Sequence, residues 1–163
     1  MEELSDLERE LMLVGRHHLC PGLESCGPGQ AAGHEGRLDR SAHLLLSRID
    51  AEGPMSIGQL AEALGLDTST VNRQTAALLK AGLVERHLDP EGGLARRLAI
   101  TQEGLGRLAA ERARRRDGLA VLFEDWSRED LRQFAHLLAR FNARCERVKG
   151  HPWPRPPEFP APR

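Results

Sequence analysis

Residues 55–101 constrain this chain more than any other stretch, because two short apolar stripes with helical spacing run straight into an alternating hairpin pattern. Ile57, Leu60, Ala61 and Leu64 fall at i, i+3, i+4 and i+7, one face of a short helix. Ser56 is placed to cap its N-terminus, and Gly65 to end it in a left-handed turn. Asp67 stands as the N-cap of a second helix whose inward stripe is Val71, Thr75, Leu78 and Leu79, closed by Gly82 at C′. Leu83, Val84, Arg86 and Leu88 then read as a strand, residues 89–95 (DPEGGLA) as a Pro/Gly turn, and residues 96–101 (RRLAIT) as the returning strand. Two capped helices joined by so short a turn cross steeply, and a hairpin directly after them is a wing. The pattern is that of a winged helix-turn-helix.

Stepping 100° per residue around the second helix sets Thr68, Ser69, Asn72, Arg73 and Ala76 away from the apolar stripe. Asn can pair bidentately with adenine and Arg with guanine in a major groove, and hydroxyls, including that of Thr70, reach phosphates or base edges. A face of this kind on an isolated helix is ordinarily only a solvated surface; the hairpin that follows makes it a candidate reading head. Ser56, Arg86 on the outgoing strand, and Arg96 and Arg97 near the base of the wing complete the candidate DNA-contacting set.

The stretch GPMSIGQLAEALGLDTSTVNRQTAALLKAGLVER, the turn DPEGG, and LAIT followed by Glu103-Gly104 resemble the MarR family of bacterial transcription regulators. The match is close over residues 37–105, and the outer helices agree in pattern. The resemblance places Arg73 on the family's recognition-helix arginine, Asp89 on its wing-opening aspartate, and Thr101 on the threonine that starts the next helix. It implies sequence-specific binding to palindromic double-stranded DNA by a homodimer, with repression as the expected action, and release by a small effector such as an aromatic anion. The chain departs from the family at the wing tip. Gly92, Gly93 and Leu94 stand where many members carry charge, which leaves Arg96 and Arg97 as the cations available to a minor groove. The implied effector cleft lies between the first helix, the supporting helix and the start of the long helix, with His17, His43, Leu46, Leu108 and Arg112 as candidate lining.

The fold class expected is mainly α: a winged helix-turn-helix lobe over residues 37–104 plus a helical dimerisation body built from N- and C-terminal helices. With 163 residues, 40% apolar and only 4% aromatic, the core must be mostly Leu, Ala, Val and Ile, which suits packed helices. Residues 1–18 carry Leu4, Leu7, Leu11, Val14 and His18 at spacings of 3, 4, 3 and 4, a heptad seam. Residues 20–36, rich in Gly, read as a linker, and residues 37–52 as a supporting helix with Leu38, Ala42, Leu45, Leu46 and Ile49 inward. Residues 105–126 form a connecting helix. Ser127 caps a last helix, to about residue 149, whose Leu131, Phe134, Leu138, Phe141, Cys145 and Val148 make a second seam. Residues 1–36 and 127–149 thus form the dimerisation part, although the two seams could instead pack on each other within one chain. Residues 150–163 (GHPWPRPPEFPAPR) are expected to be extended or disordered.

Lys and Arg number 23 against 24 Asp and Glu, so a DNA surface must come from local segregation and not from bulk charge. The run RARRR at 112–116 offers such a cluster, or else a solvated helix face. No stretch approaches the roughly 18 apolar residues of a membrane span, and the acidic N-terminus lacks signal-peptide character, so no membrane partner and a cytoplasmic location are expected. No nucleophile triad, phosphate loop or metalloprotease motif appears, and neither an enzyme nor a cofactor is expected. Three rivals remain open. Cys20 and Cys145 could make a thiol-responsive regulator, although buried cysteines are ordinarily inert. His17, His18, Cys20, Cys26 and His34 are zinc-ligand types, but their spacing matches no known finger, and no metal site is assigned. A winged helix can also serve protein contacts, which would favour aromatics over the hydroxyls and Arg73 found on this face.

Overall fold

A computed structural model describes residues 2–16, 37–88 and 96–155. The elements in order are α1 (Glu2–Arg16), α2 (Arg40–Glu52), β1 (Met55–Ser56), α3 (Ile57–Leu64), α4 (Thr68–Lys80), β2 (Val84–Leu88), β3 (Arg96–Ile100), α5 (Gln102–Leu122) and α6 (Arg128–Lys149). The fold is mainly α with a winged helix-turn-helix, as the sequence pattern predicts.

The lobe packs around α2. Leu45, Leu46 and Ile49 are fully buried there and meet Leu60 from α3, Val71 and Leu78 from α4, Val84 and Leu98 from the hairpin, and Leu108 from α5. The helix starts at Arg40 and not at residue 37, because the Asp39 carboxylate accepts from the Ala42 N–H at 2.7 Å and so fixes the first turn there. Leu38, just outside, still packs into the core.

Helix α3 begins with a reciprocal capping box: the Gln59 N–H donates to the Ser56 hydroxyl at 3.2 Å and the Ser56 N–H to Gln59 Oε1 at 2.8 Å. Asp67 holds the N-cap position of α4, but its side chain makes no cap bond; only its backbone carbonyl accepts, from Thr70 and Val71. At the other end, Gly82 at φ +69° lets the Gly82 and Leu83 N–H groups return to the carbonyls of Leu79 and Leu78. Leu83 and Leu78, both buried, complete a Schellman stop.

The sheet has the order β1-β3-β2, all antiparallel. The two-residue strand β1, Met55 opposite Leu98 and Ser56 opposite Arg97, carries no alternation long enough to be seen in sequence. The hairpin register sets Val84 opposite Ile100 and Leu88 opposite Arg96. Arg96 and Arg97 therefore open β3 at the turn end of the ladder, correcting the expectation that they sit at the base of the wing.

The wing joins α5 through a tight corner. Thr101 Oγ1 donates to the Gly82 carbonyl at 2.7 Å and accepts from the Gly104 N–H at 3.0 Å. Helix α5 ends at Leu122, short of Trp126, as the chain turns so that Phe123, Trp126 and Phe134 meet at ring-centroid distances of 4.8–6.0 Å. On α6, Ser127 caps as expected, accepting from the Asp130 N–H at 3.1 Å. The tail departs from expectation. Residues 151–155 are neither detached nor merely extended but lie against the lobe, while residues 156–163 fall outside those described.

Gly104 is fixed by space: a Cβ there would lie 2.1 Å from the Leu83 carbonyl oxygen and 2.8 Å from Ile100 Cγ1. Gly104→Ala should force the wing corner apart and cost roughly 1–3 kcal/mol or more. Thermal unfolding at fixed protein concentration measures it; Gly106→Ala, where nothing lies within 4 Å of the added carbon, is the control that should show no loss.

Candidate nucleic-acid interface

Helix α4 is divided cleanly between core and solvent. Val71, Thr75 and Leu78 are buried, and the Thr75 hydroxyl is turned inward to donate to the Asn72 carbonyl at 3.1 Å. Thr68, Ser69, Asn72, Arg73 and Ala76 are exposed and Thr70 is half-buried, so the polar face that the helical spacing predicts is available to a groove. Arg73 makes no ion pair among the described residues, which leaves its guanidinium free to bond to a base edge or phosphate.

The remaining candidates are less uniform. Ser56 already accepts a bond from Gln59 in its capping box, which leaves its O–H to donate outward. On the hairpin, residues directly opposite share a face and alternate along the strand. Arg86 and Arg96 accordingly lie on the face of Val84 and Leu98, and Arg97 on the other face with Glu85 and His87. His87 Nε2 is 3.0 Å from Glu85 Oε1 there. Arg86 and Arg96 are exposed, whereas Arg97 is half-buried. Arg96 and Arg97 stand on opposite faces of the hairpin. The tip itself, residues 89–95, lies outside the described residues.

The arginine run at 112–116 is largely turned to internal duty. Arg112 Nη1 donates to Asp50 Oδ2 on α2 at 2.8 Å. Arg114 and Arg115 both hold Glu111, at 2.6 and 2.9 Å. Glu111 is 1% exposed, and the sequence marks it only by its i, i+3 and i+4 spacing to two arginines. Burial alone would raise its pKa, but the hydrogen bonds and charges of Arg114 and Arg115 outweigh it and hold the carboxyl ionised, below the usual range. Arg116 alone of the run is exposed.

The expected effector lining is also redistributed. Leu46 and Leu108 are core residues at 0% and 1% exposure, not the wall of a cleft, because α2 and α5 close directly on each other. His43 and Arg112 remain at that α2–α5 seam, and His17 lies outside the described residues. Burial, and next Arg115, hold the His43 imidazole below its ordinary range, with Glu111 opposing and Arg112 adding to the effect. His43 Nδ1 has no hydrogen-bond partner among the described residues. Cys145 is a half-buried free thiol on α6, while Cys20 and the histidine–cysteine group at 17–34 fall outside the described residues. An open groove of about 560 Å³ runs along the α3–α4 turn, bordered by Glu62, Gly65, Asp67, Thr68, Thr70 and His151.

A model of the MarR family matches residues 38–92, the stretch from the start of α2 into the wing. The HTH-type transcriptional regulator YxaD of Bacillus subtilis (strain 168) is 36% identical over 113 residues, covering 69% of this chain and 79% of that protein. This chain belongs to the MarR family. It is thus a winged-helix transcription regulator, from a family of regulators and not of enzymes. Solved MarR-like folds agree with its architecture. RV1404 from Mycobacterium tuberculosis superposes with a TM-score of 0.68 at 20% identity, over 93% of this chain and 97% of that one. A MarR family protein from Bacillus stearothermophilus gives 0.64 at 20% identity, over 86% and 91%. The PcaV transcriptional regulator from Streptomyces coelicolor, solved with its natural ligand, gives 0.52 at 24% identity, over 65% and 75%. Among the described residues no helix is long and apolar enough to cross a membrane.

The depressed His43 pKa has a definite sign. A histidine kept neutral in the fold is protonated first in the unfolded chain, so stability is lost as pH falls through the ordinary imidazole value toward the lower folded one. Thermal midpoints followed from about pH 7 to about pH 5 should fall, and fall less steeply in His43→Gln. Parallel slopes in the two proteins would remove His43 from the account.

Proposed function

We propose that this MarR-family regulator acts as a homodimer, reading two inverted half-sites about one helical turn apart with α4 of each protomer in successive major grooves. The observation that carries the reading is the division of α4, whose apolar side is locked in the core while Thr68, Ser69, Asn72 and Arg73 stand exposed. The dimer is supported by unpartnered apolar seams. On α1, Leu4, Leu7, Leu11 and Val14 are 41–67% exposed, and on α6, Phe134, Leu138, Phe141 and Val148 are 41–72% exposed. Among the described residues, α1 and α6 form no extended packing contact with each other, which favours a partner outside this protomer for both seams. A second copy covers both, and linking two weak reading heads raises affinity by making the second contact intramolecular.

Occupation of a promoter by such a dimer excludes other proteins, and repression is the action proposed. Release by a small aromatic anion is proposed beside the closed α2–α5 seam, where His43 and Arg112 supply polar and cationic groups. The PcaV neighbour, solved with a ligand, supports a ligand-responsive fold. Such a ligand lowers DNA affinity only as far as it binds the released arrangement more tightly than the DNA-bound one.

Arg73→Ala should weaken binding to a selected operator by about 1–3 kcal/mol and relax base preference at one position of each half-site. Gel shifts on fragments selected from random DNA read both effects, and parent-like affinity with parent-like preference would refute the reading head. For assembly, Leu138→Glu with Phe141→Glu should convert a sedimenting dimer into a monomer at micromolar concentration. An intact chain that already sediments as a monomer would refute the dimer.

A further inference from the structure

The segment after α6 returns to the reading lobe. Gly150, at φ +75°, ends the helix, its N–H donating to the Glu146 carbonyl at 2.8 Å, and the chain then crosses α2. Arg48, on α2 and only 5% exposed, donates through Nη1 to the Pro152 carbonyl at 2.8 Å, and its guanidinium lies 5.2 Å from the Trp153 ring centroid. The other side of Arg48 is held by Glu52 at 2.7 Å. Glu146 fastens the far end: its Oε2 accepts from the Trp153 N–H at 3.2 Å and from Arg155 Nη1 at 2.7 Å, while Oε1 takes Arg155 Nη2 at 2.5 Å. His151 reaches the α3–α4 turn, so close that a Cβ on Gly65 would lie 2.8 Å from its ring.

We infer that residues 151–155 are a positioning strap, through which Arg48, Glu146, Trp153 and Arg155 fix the orientation of the reading head relative to α6. Apart from the strap, α6 has little packing against α2, α3 or α4, and the covalent route from head to α6 runs through α5 and its corner. One attachment leaves a lobe free to pivot; a second, on the opposite side of α2, removes that freedom. Pro152 and Pro154 suit the task, since fixed backbone angles reduce the entropy lost when the segment docks. Arg48 is the central contact because a buried guanidinium needs its partners, and here the strap supplies a carbonyl and an aromatic face. The strap positions and does not read: none of its residues belongs to the exposed face of α4.

The inference rests on the dimeric, operator-binding reading above, so its test has one arm that needs DNA and one that does not. Trp153→Ala with Arg155→Ala in the full chain is compared with the parent and with Trp153→Phe, which keeps a ring over Arg48. Without DNA, hydrogen exchange should quicken at residues 62–66 and 146–153 in the double variant but remain parent-like in Trp153→Phe, with unchanged circular dichroism. With operators of graded half-site spacing, the parent should show a sharp optimum. The double variant should bind that optimum about tenfold more weakly and discriminate less among spacings, while affinity for a single half-site stays the same. Unchanged exchange together with an unchanged spacing optimum would overturn the strap. Should the parent bind no DNA, the operator reading fails on its own, and the exchange arm still decides: quickened exchange at residues 62–66 supports the strap, and parent-like exchange overturns it. If the double variant loses its helical spectrum, Glu146→Gln, which loosens Arg155 and leaves Arg48 and Trp153 in place, carries the same two readouts with smaller changes.

Discussion

The middle of one helix, α2, is enclosed on every side over residues 45–49, and the remaining elements are arranged by what that enclosure requires. Five consecutive residues, Leu45 to Ile49, are buried, which no one-sided helix can do. The leucines and Ile49 are covered by α3, α4, the hairpin and α5, a burial that stabilises by about 1.5–3 kcal/mol per large apolar side chain. Arg48 is the exacting member of the five. A buried cation is strongly destabilising unless compensated, and Glu52, the Pro152 carbonyl and the Trp153 ring compensate it from positions close in sequence and very distant.

With α2 fixed, the reading helix has little freedom left. Its stripe packs on the same core, its C-terminus is stopped by the Schellman bonds at Gly82, and the next corner is locked by Thr101 bridging the Gly82 carbonyl and the Gly104 N–H. A groove-reading face needs such rigidity, because base readout depends on bidentate geometry that a pivoting helix would blur. Charge follows the same economy of position. The chain is nearly neutral, and much of its arginine-rich run serves internal pairs with Asp50 and Glu111, so that run adds little to the exposed cations of α4 and the hairpin, Arg73, Arg86 and Arg96.

Much of the lobe could be read directly from the residues, and the reason is that its signals are short-ranged. The Ser56 capping box, the left-handed Gly65, the Gly82 stop and the Ser127 cap are all made between residues within five positions of each other. The apolar stripes of α2, α3 and α4 follow from 3.6-residue periodicity and predict the buried faces correctly. Asp67 shows the limit of that logic: the residue type suits a cap, yet its carboxylate makes no cap bond because rotamer and surroundings, not identity, decide whether the bond forms.

The sequence by itself determined the order of helices and wing, the polar face of α4 and the two apolar seams, since these rest on periodicity, capping and turn chemistry. Only the tertiary structure decided that α2 and α5 close on each other over Leu46 and Leu108, that Arg112 answers Asp50 across 62 positions, and that the proline-rich tail meets Arg48 across 104. Each of those outcomes joins groups with no periodic relation in the chain. Their pairing is set by which surfaces the packed helices bring together and by the cost of leaving a buried charge without a partner.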